Sequence, residues 1–189
     1  MIRLALLGDI GSGKTYISEL FGYPVFNADL EVAKIYKSNK SCFKKIKKIL
    51  PSYFSTFPIK KNEIMKVALE ENNNFKKIIK IIHPEVRKKM NIFLKRNKNK
   101  KIVVLDIPLL LENKLNKKND YLIFVHSKKS EINKRIKKRK NFNFKLLKKL
   151  KRMQLPLEYK KRKSHFIIKN KFTKSVVKKD IKEIINFFL

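Results

Sequence analysis

The chain has 189 residues, 43% of them hydrophobic, which suits one compact domain with room for an inserted lobe or lid. It has no apolar run long enough for a membrane span and no signal-like start, and a single cysteine, Cys42, excludes an internal disulfide or a cysteine-based zinc site, so the expected setting is reducing and cytoplasmic, without a membrane partner. The net charge of +34 comes from 42 Lys and only seven Arg, scattered along the chain among many Asn; this reads as a solvated lysine surface with salt-sensitive attraction to polyanions, and no specific nucleic-acid partner is expected.

Ile2 to Leu7 (IRLALL) is a short apolar run stopped by Gly8, the pattern of a strand buried on both faces. Three of the four glycines follow within six positions, in Gly8-Asp9-Ile10-Gly11-Ser12-Gly13-Lys14-Thr15. This fits the P-loop pattern G-x-x-x-x-G-K-[ST], and it lies where that loop must lie, after a strand and opening a helix. Such a loop wraps backbone N–H groups around phosphate oxygens at a helix N-terminus. Lys14 is expected to reach the β- and γ-phosphates, and the Thr15 hydroxyl to hold Mg²⁺. Glycine is expected because the backbone takes positive φ and must approach phosphate with no Cβ in between. Residues 13–21 then read as a helix ending near Gly22.

Residues 24–27 (PVFN) form a brief second strand that leads into Ala28-Asp29. A carboxylate at the carboxyl end of a strand, across from the loop, is placed to accept a proton from a substrate hydroxyl. It could equally cap the next helix. From 29 to 96 the apolar period is helical throughout, which predicts a helical lobe. Within it, IIHPEVR (81–87) groups His83, Pro84 and Arg87, and Pro84 suits the first turn of a helix. IVVLDIPLLL (102–111) begins as a buried strand and puts Asp106 at its end, where a carboxylate serving Mg²⁺ belongs.

YLIFVH (121–126) and HFIIKN (165–170) are further strands, with Lys-rich helical segments between the strands. The last stretch sets Val177, Ile181, Ile184, Ile185 and Phe188 on one helix face. Alternating strands and helices predict an α/β fold, a parallel sheet flanked by helices, with ligands at the carboxyl ends of the strands. No N-K-x-D follows an apolar strand, which argues against a GTPase, and the chain is short for a motor or transporter ATPase. A small kinase of the adenylate-kinase type remains. The alternatives are another small P-loop nucleoside or nucleotide kinase and, in a different class, a basic nucleic-acid-binding protein.

Over nearly its whole length the sequence resembles the dephospho-coenzyme A kinase family. The family's G-x-I-G-S-G-K-[ST] appears as Gly8 to Thr15 and its A-D as Ala28-Asp29. Its H-P-x-V-R appears as His83 to Arg87, and its P-L-L-[FL]-E as Pro108-Leu109-Leu110-Leu111-Glu112. Its R-x-x-x-R appears as Arg135 and Arg139, and its Gln and later Asn as Gln154 and Asn170. The resemblance implies transfer of the ATP γ-phosphate to the ribose 3′-hydroxyl of dephospho-CoA, giving CoA and ADP, with Mg²⁺ as cofactor. It implies Asp29 as the base and Lys14, Arg135 and Arg139 as the other catalytic groups. Gly8, Asp9, Ile10, Gly11, Ser12, Gly13, Lys14, Thr15 and Asn170 would bind nucleotide. Asp29, His83, Arg87, Pro108, Leu109 and Gln154 would bind the acceptor, and Thr15 and Asp106 the metal.

The expected organisation is a P-loop core (1–28, 97–134 and 163–189), a helical acceptor lobe (29–96) and a lid (135–162), in a monomer or small homo-oligomer. Arg135 and Arg139 are one helical turn apart and share a face that could close over the triphosphate. The chain departs from the family at Asp9, an acid beside phosphates, and at Lys34, a base one place late. It departs again at Leu150, where the family often has Arg and where Lys149 or Arg152 could stand in, and at Ser164-His165 in place of A-D.

Overall fold

The computed structural model describes residues 1–70, 73–138 and 142–189. Five parallel strands, β1 (Ile2–Gly8), β2 (Val25–Asn27), β3 (Ile102–Asp106), β4 (Asp120–His126) and β5 (Phe166–Lys169), form one sheet in the order β2-β3-β1-β4-β5. The register runs from Ile2 opposite Ile102 to Ala5 opposite Leu105 on one side of β1, and from Arg3 opposite Asp120 to Gly8 opposite Val125 on the other.

β1 is central because it is apolar on both faces. Leu4 and Leu6 point one way, into a cluster with Ile17 and Phe21 beside α1 (Lys14–Leu20) and with Val177, Ile181 and Ile184 of α9 (Lys174–Asn186). Ala5 and Leu7 point the other way, toward α2 (Ala28–Ser38), α3 (Lys40–Ile49), α4 (Lys61–Leu69) and α5 (Asn74–Arg96), where they share a cluster with Ile35, Ile46, Val67, Ile78 and Ile82. Each such aliphatic side chain contributes about 1.5–3 kcal/mol of burial free energy. The remaining helices are α6 (Lys129–Lys137), α7 (Phe144–Arg152) and α8 (Leu157–Arg162), and α8 packs on β1.

Two local expectations are overturned. Pro84 does not open a helix; it lies inside α5, which runs unbroken from Asn74 to Arg96. An interior proline costs about 3 kcal/mol. Burial of Ile78, Ile82, Val86 and Met90 along one stripe of α5 outweighs that cost. Lys80, whose carbonyl loses its partner to Pro84, and Pro84 itself are both exposed, so water can take that carbonyl. Between β3 and β4 no helix forms. Residues 107–119 turn instead, with Leu115 N–H on the Leu110 carbonyl at 3.0 Å and Lys114 at φ 50°, because this turn drops Leu110 fully into the core.

Where β1 meets β4, Arg3 Nη2 donates to Asp120 Oδ2 at 3.0 Å, and Arg3 Nε lies 2.9 Å from Asp120 Oδ1. Both side chains are buried, and Asp120 also accepts the Lys117 N–H at 2.8 Å. Asp120→Ala strands a buried guanidinium and is expected to lower unfolding free energy by about 3–5 kcal/mol. Urea denaturation reads this directly. The apolar pair Arg3→Met/Asp120→Leu should recover most of the loss, and a single-variant cost under about 1 kcal/mol would show that the pair does not fasten β1 to β4.

Candidate active site

Glycine bends the chain at the carboxyl end of β1. Gly8, Gly11 and Gly13 all have positive φ, and Gly13, at φ 92°, sits at the N-cap of α1. A Cβ on Gly13 would lie 2.5 Å from Asn170 Nδ2, and one on Gly8 would lie 2.7 Å from the Val125 carbonyl oxygen of β4. The protein's own neighbours therefore demand glycine here, in addition to any need for close approach by phosphate.

Lys14 folds back over this loop. Its Nζ donates to the Gly8 carbonyl at 3.2 Å and the Asp9 carbonyl at 2.8 Å. Burial pushes the Lys14 pKa down to about 8; Lys160 lowers it further, while Asp106, Asp9 and Asp29 hold it up. In the unliganded protein this cation is lost as pH rises through about 8. We therefore expect affinity for a nucleoside triphosphate to fall above pH about 8. Once bound, phosphate should hold the lysine charged to higher pH. In Lys14→Arg the alkaline fall in affinity should vanish, since a guanidinium does not deprotonate. An unchanged alkaline limb in that variant would assign it to another group.

At the end of β3 the Asp106 carboxylate is 3% exposed, and its Oδ2 accepts from Thr15 Oγ1 at 2.7 Å and Asn27 Nδ2 at 2.9 Å. Burial raises its pKa, against the Thr15 hydrogen bond and the Lys14 charge, which lower it. Asn27 also caps α2, its Oδ1 accepting the Leu30 N–H at 2.9 Å. The capping role open to Asp29 thus belongs to Asn27. Asp29 sits in the first turn of α2, exposed, facing the same space as Lys14.

That space is a cavity of about 520 Å³ at the carboxyl ends of the strands. Residues far apart in sequence meet there. The loop brings Ile10, Gly11, Gly13, Lys14 and Thr15, and β2 and β3 lead in Asp29, Asp106, Pro108 and Leu109. Arg135 enters from α6, and Leu150 and Gln154 from α7 and the turn after it. Tyr16 also lines it, with no sequence signal to mark it. The Arg135 guanidinium stacks 4.2 Å from the centre of the Phe172 ring, beside Gly13. Phe172 takes φ 59°, with its N–H on Asn170 Oδ1 at 2.8 Å. Arg139 lies outside the described residues.

Several residues expected at this site stand apart from the cavity. Asn170 is 2% exposed and holds the loop from behind, donating from Nδ2 to the Ser12 carbonyl at 2.8 Å. Ser12 is likewise buried, and its carbonyl also accepts from Ser127 Oγ at 3.0 Å. The Asp9 carboxylate turns away from the phosphate space, accepting the Ile10 N–H at 2.7 Å and pairing with Lys151 at 3.5 Å. His83 and Arg87 ride on α5 a turn apart, and Arg87 reaches the Asn113 carbonyl in the turn after β3 at 3.5 Å. Burial, then Arg87, lowers the His83 pKa. Lys34 pairs with Glu31 on the surface, and Lys149 donates to the Glu70 carbonyl. Arg152 is exposed, so neither it nor Lys149 replaces a cation at Leu150 in the cavity lining.

The dephospho-CoA kinase family model matches residues 2–175. The dephospho-CoA kinase of Wolbachia sp. subsp. Brugia malayi (strain TRS) is 30% identical over 188 residues, covering 97% of this chain and 96% of the relative. That of Wolbachia pipientis wMel is 31% identical, with the same coverage. Among solved structures, TT1252 from Thermus thermophilus matches with a TM-score of 0.81 at 23% identity, covering 100% of this chain and 98% of that one, and so shares the fold.

Proposed function

The chain belongs to the dephospho-CoA kinase family and catalyses the ATP-dependent phosphorylation of dephospho-CoA, and from that premise we propose that Asp29 is the base that takes the proton of the acceptor's ribose 3′-hydroxyl. One observation carries this reading: Asp29 faces the same cavity as the phosphate-loop lysine, Lys14, and is released from capping α2 by Asn27. The loop N–H groups and Lys14 hold the triphosphate, and Arg135, already preset by Phe172, stabilises charge on the transferring group. Pro108, Leu109 and Gln154 line the acceptor side. Residues 29–96 serve as the acceptor lobe and 135–162 as the lid, whose closure excludes water from the phosphoryl group.

Oxygen donors are what a hard cation requires, and the Thr15 hydroxyl and Asp106 carboxylate lie together at 2.7 Å. Mg²⁺ needs only one or two protein oxygens beside phosphate and water. Thr15 and Asp106 would hold it, and it would neutralise charge on the phosphates. No described helix is long and apolar enough to cross a membrane.

Incubation with Mg-ATP and dephospho-CoA should yield CoA and ADP in equal amounts. Turnover with AMP, CMP or a nucleoside, and none with dephospho-CoA, would overturn the acceptor assignment. RNA retention should show no sequence preference and drop steeply with added salt.

A further inference from the structure

Glu112 closes the PLLLE run, yet no step above uses it. Opposite it stands Lys160, which is completely buried, with its Nζ 2.6 Å from Glu112 Oε1. The contact is an ion pair rather than an aligned hydrogen bond. Lysine is rarely so buried, and a buried pair gains little stability over an apolar pair of equal volume, so stability alone is a poor reason for it. α8, which carries Lys160, packs on β1, the strand that runs into the phosphate loop.

The same Glu112 Oε1 accepts the N–H of Leu155 at 2.9 Å. Leu155 follows Gln154 in the turn between α7 and α8. Just before that turn, in the last turn of α7, Lys151 pairs with Asp9 of the phosphate loop at 3.5 Å. Gln154 lies between the two fastenings. Its Nε2 is buried and finds no hydrogen-bond partner among the described residues, although the residue lines the cavity with Lys14 and Asp29. A buried amide N–H left unpaired costs about 1–3 kcal/mol, and a ligand oxygen would remove that cost.

We propose that Glu112 and Lys160 are positioning residues that hold the α7–α8 turn so that Gln154 presents its amide to a substrate oxygen in the cavity. Glu112 supplies the acceptor that grips Leu155, and Lys160 supplies the charge that lets the carboxylate stay buried. The proposal rests on the reading of Gln154 as a substrate-binding residue.

Two double variants separate this role from a structural one. Glu112→Leu/Lys160→Met removes both charges and the grip on Leu155. A purely structural pair predicts a folded protein with parental kinetics, because apolar replacement of a buried pair is often neutral or stabilising. Positioning predicts parental thermal stability with kcat/KM for dephospho-CoA reduced about tenfold or more. Glu112→Gln/Lys160→Met keeps an oxygen for the Leu155 N–H and should stay within about threefold of the parent. Parental kinetics in both variants, or equal losses in both, overturn the proposal. Should the Leu-containing variant not fold, the Gln-containing one decides, with a loss of about tenfold in folded protein counting against the proposal. Gln154→Ala separates the two readings. If it is silent, the role of Gln154 fails and positioning with it. If it is impaired while Glu112→Leu/Lys160→Met is not, only positioning fails.

Discussion

Asp29→Asn is expected to lower kcat by about 10²–10⁴-fold while leaving ATP affinity within about twofold, since general-base catalysis contributes on that scale and the side chain is not part of the phosphate loop. Asparagine matches aspartate in size but takes no proton at neutral pH. The fold should be indifferent to the change. Asn27 caps α2, so the helix keeps its cap, and Asp29 itself is exposed in the first turn. Thermal unfolding and ATP titration calorimetry give the controls, and single-turnover phosphoryl transfer gives the effect. A variant that transferred phosphate at the parental rate would remove Asp29 from the role of base.

The second large effect is at Lys14. Lys14→Met should weaken ATP binding and lower turnover together, by about 10²–10³-fold in kcat/KM, because a preorganised cation facing the triphosphate acts in a largely water-free site. Its stability effect should have the opposite sign. The Lys14 pKa falls from 10.5 unfolded to about 8 folded, so the unfolded chain binds the proton more tightly. The charge therefore opposes folding fully below pH about 8, and this opposition fades between pH about 8 and 10.5. Methionine keeps the length without the charge. The variant should unfold at a higher temperature than the parent at neutral pH, and the difference should shrink toward pH 10. A lower melting temperature at neutral pH would mean that the hydrogen bonds from Nζ to the Gly8 and Asp9 carbonyls outweigh the desolvation.

Much of this was legible in the sequence. The apolar runs at 2–7, 102–106 and 121–126 are strands of a parallel sheet, as runs buried on both faces should be, and the cluster of glycines is the phosphate loop. The helical period from 29 to 96 is matched by α2 to α5, and Val177, Ile181 and Ile184 are buried on α9. Other readings failed where local signals met a competing long-range term. Pro84 reads as a helix start, but the apolar stripe of α5 carries the helix through it. Asp29 reads as a possible cap, but Asn27 lies two residues earlier, at the end of β2, and also meets Asp106 across the sheet. Asp9 reads as an acid among phosphates, yet it turns to Lys151, 142 positions further along.

By itself, then, the sequence determined the elements whose causes are local: period, apolar runs, and the glycines that a turning backbone requires. It also marked the phosphate loop, a short pattern with few alternative uses. The tertiary structure decided which charged residues reach that loop. Among 42 lysines, Lys14 and Lys160 are buried near the phosphate loop, while Lys34, Lys88 and Lys134 pair in solvent with acids three residues away. Nothing local distinguishes them. Burial and counter-ions are properties of pairs, and the partners Glu112 and Asp106 come to these lysines only when β3 lies beside β1.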